Sequence, residues 1–188
     1  MKLSAHQPNL VPWEPFFDKC ESSDVFVLLG HVQFEKNNFQ NRFMLDGRWQ
    51  TLSVRQGTET IREKKYVQAE VDWHRIKSRI PRHAETLSTF DKHISESLWS
   101  TNTEIISDIL QRLNIEVQIE FDFPTELKAT DRIIELCQRF EANTYLSGPS
   151  GANYLDAKRF EKAGITLEFY ENKRVTSNSI LERLSECQ

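Results

Sequence analysis

His6, Gln7 and Asn9 stand within four residues of one another, fenced by Pro8, Pro12, Trp13 and Pro15. An imidazole exchanges a proton near neutral pH, and the two amides each offer a donor and an acceptor, a set suited to hydroxyl groups and to proton transfer. A second group lies in "HVQFEKNNFQNRF" (31–43), where Gln33, Asn37, Asn38, Gln40 and Asn41 supply amides and Lys36 and Arg42 supply cationic heads that fit phosphate or carboxylate. The same stretch reads equally as a solvated hairpin whose asparagines serve turns. A third group, Ser147, Gly148, Ser150 and Gly151, sits in "TYLSGPSGANYLD". Glycine lets backbone N–H groups approach an anion closely, so the segment is either a ligand loop or a tight turn. It is not a P-loop, because the Gly-Lys-Ser/Thr ending is missing. The three groups together predict a small polyhydroxylated or phosphorylated ligand. His6 is the candidate catalytic group, and Gln7, Asn9, Trp13, Gln33, Lys36, Asn41, Arg42, Ser147, Gly148, Ser150 and Gly151 are the candidate binding groups. Trp13 has two readings, an apolar lid on the first helix or a stacking surface.

These residues need a frame. Lys2 to Ala5 reads as a short strand, and "VFVLL" (25–29) as a strand buried on both faces. Between them a helix over about 12–22 is allowed, since the first four N–H groups of a helix lack internal partners and Pro12 and Pro15 remove nothing there. The His6–Asn9 turn then joins the carboxyl end of a strand to a helix, the usual ligand crevice of an α/β sheet. A strand over about 49–54 follows. The middle third, about 58–113, has helical spacing around 75–79, 83–98 and 103–113, broken at Pro81, with Trp73 and Trp99 as core residues. Alternation returns with a half-buried strand at 117–123, a helix capped by Thr130 or Asp131 with Cys137 on its apolar stripe, and a short strand before the Ser/Gly loop. A helix to about 163, a strand at 166–170 and a tail helix over 175–184 complete the reading. The expected fold is α/β, a mostly parallel sheet with flanking helices and a helical insertion, in one domain over 1–188.

Composition narrows the function classes. Lys plus Arg number 24 against 28 Asp plus Glu, so no basic field draws the chain to nucleic acid. No apolar run approaches the roughly 20 residues that span a bilayer, and the N-terminus lacks a signal-peptide pattern, so no membrane insertion and a cytoplasmic location are expected. Cys20, Cys137 and Cys187 are odd in number and widely spaced, which predicts reduced thiols, and His74, His83 and His93 have no ligand-spaced partners, so no metal site is expected. Nothing in the sequence specifies a cofactor, and self-association is left open.

The order "HQPN", "PW", "FFDK", "SDVFVLL", "VQF", "NR", then "TDRIIELC", "TYLSGPSGANYLD" and "AGI" resembles the WbqC-like protein family, chiefly over 1–55 and 125–170. The resemblance implies a role in bacterial O-antigen (lipopolysaccharide) or other surface-polysaccharide biosynthesis and a function for the motif positions named above. It also marks two departures. Cys20 stands where an aliphatic residue is expected, and Gly30 and His31 stand where an acidic pair is expected before "VQF".

Three functions fit. The first is a small transferase acting on an amino sugar or nucleotide-linked sugar, with His6 as base or stabiliser. The second is a nucleotidylyltransferase-like nucleotide binder, because strand, His6-x-x-Asn9 and helix are similar to the HxGH signature, although Pro8 and Asn9 occupy its Gly-His places. The third is a non-catalytic scaffold for a glycan-assembly enzyme.

Overall fold

The computed structural model describes residues 1–171 and 178–186. Five strands, β1 (Lys2–His6), β2 (Val25–Leu28), β5 (Gln118–Phe121), β6 (Thr144–Ser147) and β7 (Thr166–Phe169), form one sheet in the order β5-β2-β1-β6-β7, with every pairing parallel. This is the expected α/β architecture. All four residues of β2 are buried, as a continuous apolar run in an inner strand requires, whereas β5 and β7 at the two edges are half-exposed.

The pleat sorts the core into two layers. Leu3, Ala5, Val25 and Val27 face helices α5 (Ala129–Arg139) and α6 (Ala157–Lys162) through Ile133, Leu136, Cys137 and Phe160. Phe26 and Leu28 face the other way, onto Phe16, Phe17 and Cys20 of α1 (Glu14–Glu21) and Ile105, Ile106 and Ile109 of α4 (Leu98–Arg112). Cys20 and Cys137 are fully buried and free, and burial pushes both thiols up, Cys137 to about 12, so neither is a ready thiolate. Cys187 lies outside the described residues.

Several elements differ from the sequence expectation. Helix α1 begins at Glu14 with Trp13 as N-cap, which leaves Pro12 outside and puts Pro15 at the second helical position, still among the N–H groups with no helical partner. The hairpin lies one step later than the 31–43 reading. It pairs β3 (Arg42–Leu45) with β4 (Arg48–Thr51) around Asp46 and Gly47, both at positive φ, the type I′ geometry that an Asp-Gly pair favours. The strand expected at 49–54 ends at Thr51, and Val54 makes only an isolated bridge to Tyr66. The single helical stretch expected over 83–98 is a 3₁₀ turn at Pro81–His83, the short α3 (Ala84–Ser88) and a second 3₁₀ turn at Asp91–His93. It follows α2 (Ala69–Arg79) and precedes α4. Trp73 and Trp99 fill core, as expected. Helix α5 has Lys128 at its N-cap. Thr130 Oγ1 instead accepts the Asp156 N–H at 3.0 Å and Asp131 pairs with Arg159, so both tie α5 to α6 rather than cap it. Residues 175–177 of the expected tail helix lie outside the described residues, and α7 spans Leu181–Glu186.

Candidate functional site

With the parallel strands counted in chain order, the sheet reads 3-2-1-4-5, so the winding reverses between β1 and β6. Ligands of open α/β sheets bind at the carboxyl ends of the strands flanking such a reversal. Here those ends are His6 and Ser147. Strands β1 and β6 pair only at Lys2–Thr144 and Leu3–Tyr145, while β1–β2 pairing runs to His6 and β6–β7 pairing to Ser147. The two central strands thus part beyond their second pair and open a crevice.

The opening leaves a carbonyl to be satisfied. The His6 carbonyl faces β2 and accepts the Leu29 N–H at 2.9 Å. By strand alternation the Ala5 carbonyl faces β6, where pairing has ended, and Lys19 Nζ donates to it at 3.1 Å. Lys19 therefore fills the root of the crevice, reaching in from α1.

Above it the cleft has two joined lobes. One, of about 310 Å³, is polar and is lined by Gln7, Asn9, Asn38, Tyr145, Ser147 and Tyr154 among others. The second, of about 260 Å³, is mostly apolar, with Pro15, Phe16, Pro149 and Tyr170. His6, Trp13, Lys19, Gly148 and Ser150 line both and form the waist.

Of the residues expected from sequence, His6, Gln7, Asn9, Trp13, Ser147, Gly148 and Ser150 come together in this cleft. Gln33, Lys36, Asn41, Arg42 and Gly151 are not among its lining. Asn41 is buried and donates from Nδ2 to the Leu52 carbonyl at 2.9 Å. Arg42 donates to the Asn37 carbonyl and lies over the Trp49 ring, 3.9 Å from its centroid. Gln33 and Lys36 are exposed on the segment before the hairpin. Gly151 is buried, its N–H is used by the Gly148 carbonyl at 3.0 Å, and an added Cβ would stand 1.9 Å from Ser147 Oγ. Its place is close packing that shapes the loop.

Sequence reasoning missed Lys19 and Asn102, and it read Gln40 only as one amide of the 31–43 stretch. Gln40, fully buried, donates from Nε2 to Gln7 Oε1 at 2.6 Å, and its own Oε1 accepts the Glu35 N–H. Asn102 of α4 donates to the carbonyls of Pro8 at 2.8 Å and Gln40 at 2.7 Å and accepts the Tyr66 hydroxyl at 2.9 Å. One buried amide thus locks the His6 turn to the 31–41 segment. Lys19 had a readable signal, since it falls on the face of α1 marked by Phe16 and Cys20, where a surface lysine does not belong.

His6 packs edge-on against Phe16, with centroids 5.1 Å apart, and its Nδ1 lies 2.8 Å from the Gln7 carbonyl. A carbonyl only accepts, so Nδ1 carries the proton and Nε2 presents a lone pair. Burial and, second, the Lys19 ammonium lower the imidazole pKa to about 3, against a smaller upward pull from the Gln7 carbonyl. The ring is neutral at physiological pH. The sign for stability follows. Below about pH 6.5 the unfolded histidine takes a proton that the folded one refuses until about pH 3, so the native state loses stability as pH falls through this window. His6→Gln is expected to flatten that part of the curve, measured as urea midpoint against pH; a wild-type and variant difference independent of pH between 7 and 4 would remove the effect.

No cluster of three or more His, Cys, Asp or Glu placed to hold a metal occurs among the described residues, and no helix there is long and apolar enough to cross a membrane. The model of the WbqC-like protein family matches residues 7–178. The uncharacterized protein Rv1507c of Mycobacterium tuberculosis is 25% identical over 191 residues, covering 90% of this chain and 82% of that protein. No solved structure matches the chain.

Proposed function

The chain belongs to the WbqC-like protein family, and from that premise we propose that it is a small transferase acting on an amino sugar or a nucleotide-linked sugar in the assembly of bacterial surface polysaccharide, in one domain over 1–188. The observation that carries this reading is the meeting of the His6 turn and the Ser147–Ser150 loop at the winding reversal of the sheet, over a buried ammonium. In the proposed mechanism the amides of Gln7 and Asn9 orient hydroxyl groups and the Gly148–Ser150 loop lies along the anionic part of the donor. The anion seated on Lys19 removes one cause of the lowered His6 pKa, and His6 Nε2, held by the Nδ1 contact to its neighbour's carbonyl, then accepts the proton of the attacking hydroxyl or amine. Trp13 covers the waist.

The test is a thermal-shift screen against nucleotide sugars, sugar phosphates and acyl thioesters, followed by a crystal of the best complex. A ligand present at 100 times its Kd adds about 2.7 kcal/mol of stability, a rise of several degrees for a chain of this size. One class is expected to give that rise. Flat melting curves with every class, together with capture of a protein partner, would establish the scaffold reading instead.

A second reading has its own support. The 3-2-1-4-5 order with a histidine closing the first strand also suits a nucleotidylyltransferase-like protein. That chemistry requires a nucleoside triphosphate and Mg²⁺, so turnover of a nucleotide sugar in excess chelator separates the two.

A further inference from the structure

Lys19 is 4% exposed. Its ammonium has one hydrogen bond, to the Ala5 carbonyl, and lies 5.4 Å from the Phe26 ring centroid; no carboxylate pairs with it among the described residues. An ammonium has three protons to donate, and a buried charge without a counter-charge is expensive to hold. The native structure carries that expense at the one place where its two lobes meet, since Lys19 lines both. An anion at the waist would supply the missing counter-charge. On one side of that point stand the amides of Gln7, Asn9 and Asn38, which match a polyhydroxylated ring. On the other stand Trp13, Pro15, Phe16 and Tyr170, which match the faces of a flat ring and offer few partners to hydroxyl groups. Gly148 borders the waist with open space around the position of a Cβ, so a phosphate oxygen can approach the backbone there.

We propose that the cleft takes a nucleoside diphosphate sugar, with its pyrophosphate on the Lys19 ammonium between the His6 turn and Gly148–Ser150, its sugar in the polar lobe and its base in the apolar lobe. This rests on the transferase reading of the same cleft and adds to it the ligand's orientation and its anchor.

Isothermal titration of the full chain with uridine, uridine diphosphate, uridine diphosphate glucose and glucose 1-phosphate tests it, with the guanosine and thymidine series run in parallel so that the identity of the base does not decide the outcome. Lys19→Met is expected to weaken the diphosphates and glucose 1-phosphate by about tenfold to a hundredfold, the range of a hydrogen bond to a charged group, and to leave the uncharged nucleosides unchanged. Trp13→Leu is expected to weaken nucleosides and diphosphates while sparing glucose 1-phosphate. Gly148→Val, at a position with φ outside the left-handed region and open space around the added Cβ, narrows the waist and is expected to weaken all the charged ligands. Melting curves confirm that each variant is folded. If Lys19→Met binds the diphosphates as the wild type does, the anchor is wrong even though the transferase reading survives. If only acyl thioesters or only sugar phosphates bind, the nucleotide assignment is overturned and a transferase with another donor is left. If no class binds, both readings fall.

Discussion

His6→Ala is expected to slow turnover by at least tenfold and, where proton acceptance limits the rate, by the ~10²–10⁴-fold that a positioned acid–base group contributes. The melting temperature at pH 7.5 should change little. The ring is half-buried and gives up one edge contact with Phe16, and among the described residues its hydrogen bond is to the adjacent residue's carbonyl. The loss should appear in kcat rather than KM, because the group acts on the reacting proton rather than on ground-state binding. Equal kcat in variant and wild type, measured on whichever donor the binding screen identifies, would take His6 out of the mechanism.

The same residue sets the acid limb of the rate. Free enzyme holds His6 near pKa 3 through burial first and the Lys19 ammonium second. An anion seated on Lys19 cancels the second cause and raises the imidazole pKa in the complex. Since kcat/KM reports the free enzyme and kcat the complex, the acid limb of kcat should lie at higher pH than that of kcat/KM. Coincident limbs would show that the ligand does not approach Lys19. The basic side belongs to Lys19 itself, whose burial lowers it to about 8. The free ammonium fraction, and with it the attraction for an anionic donor, falls as pH rises through that value.

Much of the sheet could be read from the chain because its inner strands are local signals. "VFVLL" announces burial on both faces wherever it sits, and the Ser/Gly loop and the histidine turn are visible as compositions. Strand order is not local. That β1 and β6 are neighbours, and that their pairing stops at Leu3–Tyr145, depends on contacts between residues about 140 apart, and this separation creates the crevice. For that reason the expected binding residues sorted as they did. Those at strand ends converge, whereas Asn41 and Arg42 are drawn off by a hairpin whose Asp46–Gly47 turn was a stronger marker than the asparagines before it. Lys19 was hidden by its type, since a lysine is ordinarily placed on the surface and only its registry with Phe16 and Cys20 contradicts that.

Asp122→Ala is expected to cost about 3–5 kcal/mol of stability, because it strands a buried charge. Asp122 is buried at the end of β5. One carboxylate oxygen accepts the Gly30 N–H at 2.7 Å, both accept from His31 N at 3.1 Å, and Arg132 of α5, itself 8% exposed, closes the set. His31 Nδ1 lies 3.1 Å away as well. The cluster thus ties the loop after β2 to the edge strand and to the opposite helix layer. It also gives a physical reason for glycine and histidine at the two positions where an acidic pair was expected from the sequence. A side chain at 30 would put its Cβ 2.5 Å from the Trp99 ring, and an acidic side chain at 31 would set a second carboxylate against Asp122. In this chain Gly30 fits the space left by the Trp99 ring and His31 fits the carboxylate of Asp122. The urea midpoint of Asp122→Ala should fall with an unchanged m-value, and the melting temperature should drop on the order of 10 °C. Arg132→Met in the same background should recover part of the loss, because it removes the stranded guanidinium. A single-variant loss below about 1 kcal/mol, or no recovery in the double variant, would mean that the pair is solvated and that Asp122 sets no electrostatic bar to an acidic residue at 31.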